Sequence, residues 1–321
     1  MYKSKLTMKE TQKAIKIVKD NFEKKLADTF NLDRVSAPLM VISNEGVNDD
    51  LGIENSALSF HIESLGKNVE IVQSLAKWKR IALKKYGYNI YEGIYTDMNA
   101  IRPLDVTDQT HSLYVDQWDW ELVITKEDRT IKYLKKVVEK IVLAIKDTKK
   151  LVKTYYPNLT NKINEKVFFI SSEDLKNTYP NLNLDDREKA ITQIYKTVFV
   201  TNIGKNEDNR APDYDDWLLN GDLLIWSEEL NNAIELSSMG IRVDKERLLI
   251  QMKEANREED LDKLYYQMIL NDELPLTIGG GIGQSRLCMV LLEKSHIAEV
   301  QASIWSEKEH KYFKDNKILY L

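Results

Sequence analysis

The chain has 321 residues, of which 43% are apolar and 30% charged, as in a globular protein with a substantial core, and its formal net charge is −5. This acidic total argues against an enzyme that grips a long nucleic acid, because such proteins normally show a basic face. The amino terminus is charged and no segment approaches the ~20 apolar residues needed to cross a bilayer, so we expect a cytoplasmic protein that binds neither nucleic acid nor membrane.

The cysteine and histidine residues form no recognisable metal or nucleophile motif. The single cysteine, Cys288, rules out an intrachain disulfide and lies in an apolar run, where a buried core residue is the simplest interpretation. The four histidines follow no metal-ligand spacing, and no G-x-S-x-G motif accompanies them. The sequence therefore disfavours a zinc site and a serine hydrolase triad.

The spacing of apolar residues predicts the first elements of the fold. A helix is predicted over residues 1–30, where Ile15, Val18, Phe22 and Leu26 recur at spacings of three and four. A short strand at 35–40 follows, and the proline within it favours an edge or an interface.

The remaining elements alternate between helix and strand. Further helices are predicted at 74–86, 129–155, 185–195, 244–270 and 283–293. Strands are predicted at 93–100, 112–124, 167–171, 197–203, 222–226 and 233–243. We interpret the lysines of 132–153 as the solvated face of their helix rather than as a nucleic-acid patch. Several neighbouring strands can pair antiparallel, which favours an α+β fold with a mostly antiparallel mixed sheet flanked by helices, in a single catalytic domain over 1–321.

The most informative segment is glycine-rich. Four of the twelve glycines fall within positions 279–283, and Arg286 follows before an apolar run of helical character. Glycine lets the backbone approach a ligand closely, and the planar guanidinium of arginine suits phosphates or a purine face. A glycine-rich strand that runs into a helix carrying such an arginine indicates a nucleotide site.

The segment 114–121 alternates polar and aromatic residues. On a strand, Gln117 and Asp119 share one face, and Trp118 and Trp120 share the other, which we assign to the core. The opposite face either meets solvent or lines a pocket. If this face lines a pocket, the carboxylate and amide side chains suit a ligand that carries an ammonium group and a carboxylate or carboxamide.

Two basic segments contain candidate residues for binding an anionic ligand. Ser74 is a plausible N-cap of the helix at 74–86, and Lys79 and Arg80 point in different directions, so only one of them is expected to reach an anionic ligand. Arg102 ends a strand that Pro103 stops, and an arginine held in this way can point stiffly toward a cleft.

The segment 210–217 is acidic. Asp213, Asp215 and Asp216 fall within four positions, which is costly unless a cation or several donors neutralise them. A loop of this kind either holds Mg²⁺ through oxygen ligands or is simply solvated.

Strict alternation over 235–242 predicts which side chains share a face. Glu235 and Met239 fall on one face, and Ser238, Gly240 and Arg242 on the other. The glycine on the second face leaves room for a substrate.

Five segments in order resemble the ammonia-dependent asparagine synthetases, the aspartate–ammonia ligases. They are QSLAKWKR at 73–80, with Gln73 where the family has His, YVDQWDWE at 114–121, RAPDYDDW at 210–217, ELSSMGIRVD at 235–244 and TIGGGIGQSR at 277–286. The resemblance covers nearly the whole chain. It implies the catalytic-domain fold of a class II aminoacyl-tRNA synthetase without a tRNA-binding module. It also implies a homodimer formed through a helix and strand in residues 1–40.

The resemblance implies a reaction of L-aspartate, ATP and ammonia, with Mg²⁺ as cofactor and β-aspartyl-AMP as intermediate. On the ATP side, Arg102 would bind the α-phosphate, Arg286 would stack on adenine and reach the γ-phosphate, and Glu235 would serve ATP–Mg²⁺. Gly281 and Gly283 join this group, and Asp215 is assigned to the nucleotide or ammonia side.

The resemblance also implies the residues around aspartate. The aspartate-binding set is Ser74, Lys79, Gln117, Asp119, Ser238 and Arg242. Asp49 would hold or deprotonate the incoming ammonium, and it joins Lys79, Arg102 and Arg286 as a candidate catalytic residue. The loop before Arg210 and the loop after Trp217 are shorter than in the bacterial family.

Three alternatives are weaker. An aspartyl- or asparaginyl-tRNA synthetase core is disfavoured because the resemblance uses all 321 residues, leaving no anticodon-binding barrel, and because the net charge is negative. A non-catalytic paralogue that senses aspartate or ATP is disfavoured, because such a protein need not keep the arginines and the glutamate found here: Arg102, Glu235, Arg242 and Arg286. A glutamine-dependent synthetase needs a nucleophilic cysteine near the amino terminus, and the only cysteine is Cys288.

Overall fold

A computed structural model of the chain describes residues 2–49, 51, 56–204 and 210–321. The α-helices are α1 (Met8–Phe30), α2 (Ala76–Tyr86), α3 (Ile131–Tyr155), α4 (Ser172–Thr178), α5 (Leu184–Tyr195), α6 (Lys245–Glu254), α7 (Leu264–Leu270), α8 (Gln284–Leu291) and α9 (Glu307–Asn316). The first strands are β1 (Leu32–Arg34), β2 (Met40–Ile42), β3 (Ser59–Ile62), β4 (Lys67–Ile71), β5 (Gly93–Ile101) and β6 (Tyr114–Val123). The later strands are β7 (Phe168–Ser171), β8 (Thr197–Thr201), β9 (Asp215–Ser227), β10 (Asn232–Arg242) and β11 (Thr277–Gly283).

An eight-stranded sheet in the order β1-β5-β6-β11-β10-β9-β8-β7 organises the molecule. Its two outermost pairs, β1 with β5 and β7 with β8, are parallel. The pairs between them are antiparallel. A smaller antiparallel sheet has the order β2-β4-β3. The predicted α+β fold with a mostly antiparallel mixed sheet is confirmed.

One face of the large sheet packs on α1, α3 and α8. Trp118 and Trp120 of β6 are fully buried there, and their rings lie 4.9 Å from the ring of Phe22 and 5.4 Å from that of Phe30, centroid to centroid. Aromatic rings bury large apolar areas, so this contact is a major source of core stability. The predicted core face of β6 is confirmed, and the opposite face is left for Gln117 and Asp119.

Local interactions fix the ends of α1. The side chain of Thr7 accepts a hydrogen bond from the N–H of Glu10, and the carboxylate of Glu10 accepts one from the N–H of Thr7 at 2.8 Å. This capping box satisfies two donors that the first turn leaves open. The helix ends at Asn31, whose left-handed φ of 53° turns the chain directly into β1.

The lysine-rich helix α3 buries an apolar face and exposes most of its lysines, as predicted. Its buried residues include Leu134, Val138, Ile141 and Ile145. Lys149 is the exception, because it is buried and its ammonium donates to Glu293 at 2.7 Å. Among the described helices, none combines the length and the apolar character needed to cross a bilayer.

Three element predictions were wrong in part. The strand predicted at 35–40 is a connection, since β1 ends at Arg34 and β2 begins at Met40. The helix predicted at 244–270 is broken after α6, where Asn256 takes a left-handed φ of 56° and a 3₁₀ turn follows at Glu258–Asp262. The strand predicted at 222–226 begins earlier, at Asp215, because the acidic residues there are paired with cations and can enter the sheet.

A buried histidine lies near the carboxyl end of the fold. His296 packs edge-on against Trp305 and Phe313, with ring centroids 5.5 and 4.8 Å away, and its Nδ1 accepts a hydrogen bond from the N–H of Ala298 at 3.1 Å. Burial lowers the pKa of His296 to about 4, although nearby carboxylates oppose the shift. The imidazole is therefore neutral in the folded protein at neutral pH.

We predict that His296 makes the fold acid-sensitive. Below about pH 6.5 the imidazole of His296 is protonated in the unfolded chain but stays neutral in the folded chain. The free energy of unfolding therefore decreases as the pH falls from 6.5 toward 4. The variant His296→Asn keeps an acceptor for the N–H of Ala298 but does not titrate. Between pH 7 and 4.5 it should lose about 2 kcal/mol less unfolding free energy than the parent in urea titrations. Equal losses would refute this role.

Candidate active site

Two adjoining cavities lie on the face of the large sheet opposite Trp118 and Trp120. The small cavity has a volume of about 220 Å³ and the large cavity about 590 Å³. Arg102, Gln117 and Glu235 line both of them and form much of their common wall. The large cavity falls within the usual size range of cofactor sites, whereas the small one suits a compact ligand. This geometry can hold two different ligands side by side.

Charged side chains dominate the small cavity. Its carboxylates are Asp49, Asp119, Asp215, Asp222 and Glu235, and its guanidinium groups are those of Arg102, Arg210 and Arg242. Ser74 and Ser238 also line it. A lining with both positive and negative charges, in which carboxylates outnumber guanidinium groups, suits a small zwitterionic ligand together with a second, cationic ligand.

A β-bulge brings Glu235 to both cavities. The register of β10 against β9 shifts between Glu235 and Ser237, and Leu236 packs in the core with Met239 and Ile241. Glu235 therefore lines the same cavity as Ser238 and Arg242, and the face predicted for it by strict alternation was wrong. A bulge adds one residue and reverses the alternation on either side of it.

Arg242 lines the small cavity while two protein carboxylates hold it. Its guanidinium donates to Glu121 from Nε at 2.9 Å and from Nη2 at 2.7 Å, and its Nη1 donates to Asp215 at 2.5 Å. Burial would lower the pKa of Arg242, but the two carboxylates raise it well above its ordinary value. Conversely, Arg242 outweighs burial and holds the pKa of Glu121 below its ordinary value. The sequence analysis named Arg242, which lines the small cavity, and did not name its partner Glu121.

Lys79 is a buried residue that holds Asp119, one of the residues that line the small cavity. Its ammonium pairs with Asp119 and donates to the carbonyl oxygens of Trp120 at 2.9 Å and Gly280 at 3.3 Å. Lys79 is 1% exposed and lines neither cavity, whereas its partner Asp119 lines the small one. Its neighbour Arg80 donates to backbone carbonyl oxygens instead. Neither side chain of this pair reaches a cavity directly, contrary to the expectation for one of them.

Ser74 lines the small cavity but does not cap α2. The N-cap position is occupied by Leu75, and the hydroxyl of Ser74 accepts a hydrogen bond from the N–H of Ala76 at 3.2 Å. The predicted role of Ser74 as the capping residue was therefore off by one position, and its hydroxyl still faces the cavity.

Each of the three clustered aspartates has its own cationic partners. Asp213 pairs with Lys77 at 2.6 Å, Asp215 pairs with Arg242 at 2.5 Å, and Asp216 pairs with Arg129 at 3.0 Å and Arg247 at 3.1 Å. The interpretation as a solvated loop was wrong, because all three carboxylates are buried, and the interpretation as a magnesium loop stays a prediction. Within the described ranges, no group of three His, Cys, Asp or Glu residues could hold a metal ion. Burial raises the pKa of Asp215, which is the only one of the three to line the small cavity, against the effect of Arg242.

Arg286 lies in the large cavity and contacts Glu235. Its Nη1 donates to the carbonyl oxygen of Glu235 at 2.9 Å and approaches its carboxylate at 3.4 Å, and its Nε donates to the carbonyl oxygen of Thr110 at 3.2 Å. Burial alone would raise the pKa of Glu235, but Arg286, Arg210 and Arg102 lower it. Glu235 is therefore an ionised carboxylate at the junction of the two cavities.

Arg102 stands in the wall that the cavities share. Its Nη2 donates to the carbonyl oxygen of Gln73 at 3.2 Å, and its buried Nε has no hydrogen-bond partner among the described residues. Gln73 also holds the segment of Asp49, since its side-chain amide donates to the carbonyl oxygen of Asp49 at 3.1 Å. Gln73 thus connects Arg102 with Asp49.

Two glycines of β11 make room for side chains of β6. A Cβ at Gly279 would stand 2.0 Å from Oε2 of Glu121, and one at Gly281 would stand 2.1 Å from Oε1 of Gln117. The space left by the missing side chains of the two glycines is therefore occupied by the side chains of Glu121 and Gln117. Gly281 nevertheless lines both cavities and Gly283 the large one, and their contact with a nucleotide stays a prediction.

We predict that Gly279→Ala is strongly destabilising. The added methyl group cannot coexist with the carboxylate of Glu121, which must leave Arg242. We expect a loss of about 2 to 4 kcal/mol in the free energy of unfolding, measured in urea. The matched control is Gly204→Ala, whose Cβ would meet Trp217 at an ordinary 3.7 Å. Similar stabilities of the two variants would contradict the proposed packing.

Arg210 and Asp222 are site residues that the sequence analysis did not assign. The guanidinium of Arg210 donates to the hydroxyl of Ser238 and to the carboxylate of Asp222, both at 2.5 Å. Arg210 opens the segment RAPDYDDW, and that position was the available signal. The shorter loop predicted before it falls on 205–209, outside the described residues.

Solved structures identify the fold. The chain resembles the asparaginyl-tRNA synthetase of Entamoeba histolytica in complex with asparaginyl-adenylate, with a TM-score of 0.71 and 15% identity over 92% of this chain and 66% of that one. The corresponding enzyme of Pyrococcus horikoshii, also complexed with asparaginyl-adenylate, gives a TM-score of 0.66 and 16% identity over 92% and 70%. The fold is that of the catalytic domain of a class II aminoacyl-tRNA synthetase, as predicted.

Sequence comparison identifies the family. The model of the aspartate–ammonia ligase family matches residues 9–317. The aspartate–ammonia ligase of Clostridium tetani is 51% identical over all of this chain and 96% of that protein. The one from Fusobacterium nucleatum is 52% identical over all of this chain and 99% of its own length. The chain belongs to the aspartate–ammonia ligase family, a family of enzymes.

Proposed function

We propose that this enzyme joins ammonia to the side-chain carboxylate of L-aspartate at the expense of ATP, giving L-asparagine, AMP and pyrophosphate through β-aspartyl-AMP. The observation that carries the proposal is the pair of cavities with Arg102 and Glu235 in their common wall. A reaction between two bound substrates needs two sites that meet, and the small and large cavities fit aspartate and ATP respectively.

The intermediate solves a problem of leaving groups. A carboxylate is a poor acyl donor, because oxide or hydroxide would have to leave. In the first step a side-chain oxygen of aspartate bonds to the α-phosphorus of ATP, and the bond to pyrophosphate breaks. In the second step ammonia bonds to the acyl carbon, AMP leaves with the electron pair of the C–O bond, and the nitrogen loses one proton.

Positioning and charge are the contributions we assign to the protein. Arg102 offsets the charge that develops on the α-phosphate, and Arg286 holds the nucleotide in the large cavity. Asp119 and Gln117 receive the ammonium and carboxylate groups of aspartate, assisted by Ser74, Ser238 and Arg242. Lys79 pairs with Asp119 and orients it.

Mg²⁺ fits this site as a companion of ATP. Magnesium is commonly held by one or two carboxylates together with substrate phosphates, and Glu235 supplies an ionised carboxylate at the edge of the large cavity. When bound, the ion would neutralise phosphate charge.

We assign the remaining carboxylates of the small cavity to the amine partner. Ammonia is almost entirely protonated at neutral pH, and Asp49 is a buried carboxylate that can hold an ammonium ion and receive its proton. Asp215 belongs to this side of the cavity or to the nucleotide, as its position near Arg242 allows both.

We also propose a homodimer and a cytoplasmic location. The dimer would form through residues 1–40, because β1 lies at the edge of the large sheet and follows α1 directly. The single, buried cysteine fits a reducing compartment.

Isotope exchange between pyrophosphate and ATP tests the proposal. The exchange should require aspartate and Mg²⁺, proceed without ammonia, and give asparagine and AMP once ammonium is added, with no tRNA present. Strictly tRNA-dependent consumption of aspartate would favour a tRNA synthetase core. Absence of exchange at saturating aspartate would favour a binding protein.

A further inference from the structure

A third cavity adjoins the small cavity at Asp49, the residue that lines both. It has a volume of about 420 Å³ and lies between the small sheet and the segment 256–266. Asp49 lines both the third and the small cavity, whereas the described residues that line the third cavity and the large cavity do not overlap. The third cavity therefore meets the small one from a side other than that of the large cavity.

The order of the reaction calls for such a second access. Once ATP fills the large cavity and aspartate fills the small one, ammonium must reach the acyl carbon by another path. The point where a path from the third cavity would arrive is Asp49, the carboxylate that the proposed function assigns to ammonium.

The charged groups of the third cavity favour a small cation. Of its three cationic side chains, Lys77 is paired with Asp213 at 2.6 Å, and Arg257 and Lys263 both pair with Asp260. Three further carboxylates line the cavity: Glu259, Glu70 and Asp49. Glu70 accepts a hydrogen bond from the neutral side-chain amide of Asn48 at 3.1 Å.

These three carboxylates become progressively more buried. Glu259 is exposed, Glu70 is half-buried, and Asp49 is only 3% exposed. A cation that moves from one to the next exchanges water for protein oxygens gradually, and a lining with more carboxylates than cationic groups raises its local concentration. We infer that the third cavity is the path by which ammonium reaches the active site, with Glu259 and Glu70 as its guiding carboxylates. The inference rests on the proposed function.

Steady-state kinetics with ammonium chloride tests this path. In Glu70→Gln, the KM for ammonium should rise roughly threefold to tenfold at low ionic strength, and the effect should shrink in high salt. The KM values for aspartate and ATP, and the rate of aspartate-dependent pyrophosphate exchange, should stay at parental values, because the first step does not use ammonium. Adding Glu259→Gln should raise the KM for ammonium further.

The matched control is Glu63→Gln, a carboxylate of the small sheet that is 98% exposed and does not line the third cavity. Its kinetics should equal those of the parent. A steric variant, Ala57→Phe, should slow asparagine formation at subsaturating ammonium while leaving exchange intact. An unchanged KM for ammonium in folded Glu70→Gln/Glu259→Gln and in Ala57→Phe would overturn the path. Loss of exchange in the parent enzyme would instead overturn the proposed function.

Discussion

Replacing Arg286 by alanine should slow aspartate-dependent pyrophosphate exchange about 100-fold or more and raise the KM for ATP. Arg286 is the guanidinium of the large cavity that also contacts Glu235, so its loss removes a cation from the nucleotide and from the carboxylate beside it. Its side chain is partly exposed and bonds mainly to carbonyl oxygens, so folding should be nearly unaffected.

The comparison should include Arg286→Lys and Arg187→Ala. Lysine restores the charge without the planar fork and should recover only part of the rate. Arg187 lies on α5 and lines neither cavity, so its alanine variant should match the parent. Activity of Arg286→Ala within about threefold of the parent would remove Arg286 from the mechanism.

Replacing Arg242 by alanine should cost both stability and activity. Glu121 is 0% exposed and would lose its bidentate partner, and breaking one side of a buried ion pair typically costs about 3 to 5 kcal/mol. Urea titrations should show this loss, and pyrophosphate exchange should fall below detection even at temperatures where the variant is folded.

A double variant separates the two effects. In Arg242→Met with Glu121→Gln, the guanidinium is removed together with one of its two buried carboxylate partners, so part of the stability should return. Exchange should remain lost, because the guanidinium of Arg242 no longer lines the small cavity. If the double variant recovers the parental KM for aspartate, Arg242 is a structural residue and not a binding residue.

Regular patterns in the sequence predicted the regular parts of this protein. The alternation of Trp118 and Trp120 with Gln117 and Asp119 holds because β6 pairs with β5 and β11 without interruption. The strand-to-helix junction before Arg286 was predicted for a similar reason, since glycine-rich strand and apolar helix follow each other directly.

Features that depend on a distant partner were not predictable in this way. The face of Glu235 is set by how β10 pairs with β9, and one sequence carries no sign of the bulge. The partners of the clustered aspartates, such as Lys77 and Arg129, lie far away in the chain. Lys79 was expected at the ligand, but its three donors are satisfied behind Asp119.

The bulge in β10 also couples folding to the assembly of the site. Leu236 and Glu235 are neighbours, and the bulge sends the first into the core and the second to the cavities. A β10 paired in regular register would exchange them, burying a carboxylate and exposing a leucine, which is a costly alternative. Correct packing of the hydrophobic core therefore also assembles the site, because a chain that packs Leu236 in the core has already placed Glu235 at the two cavities.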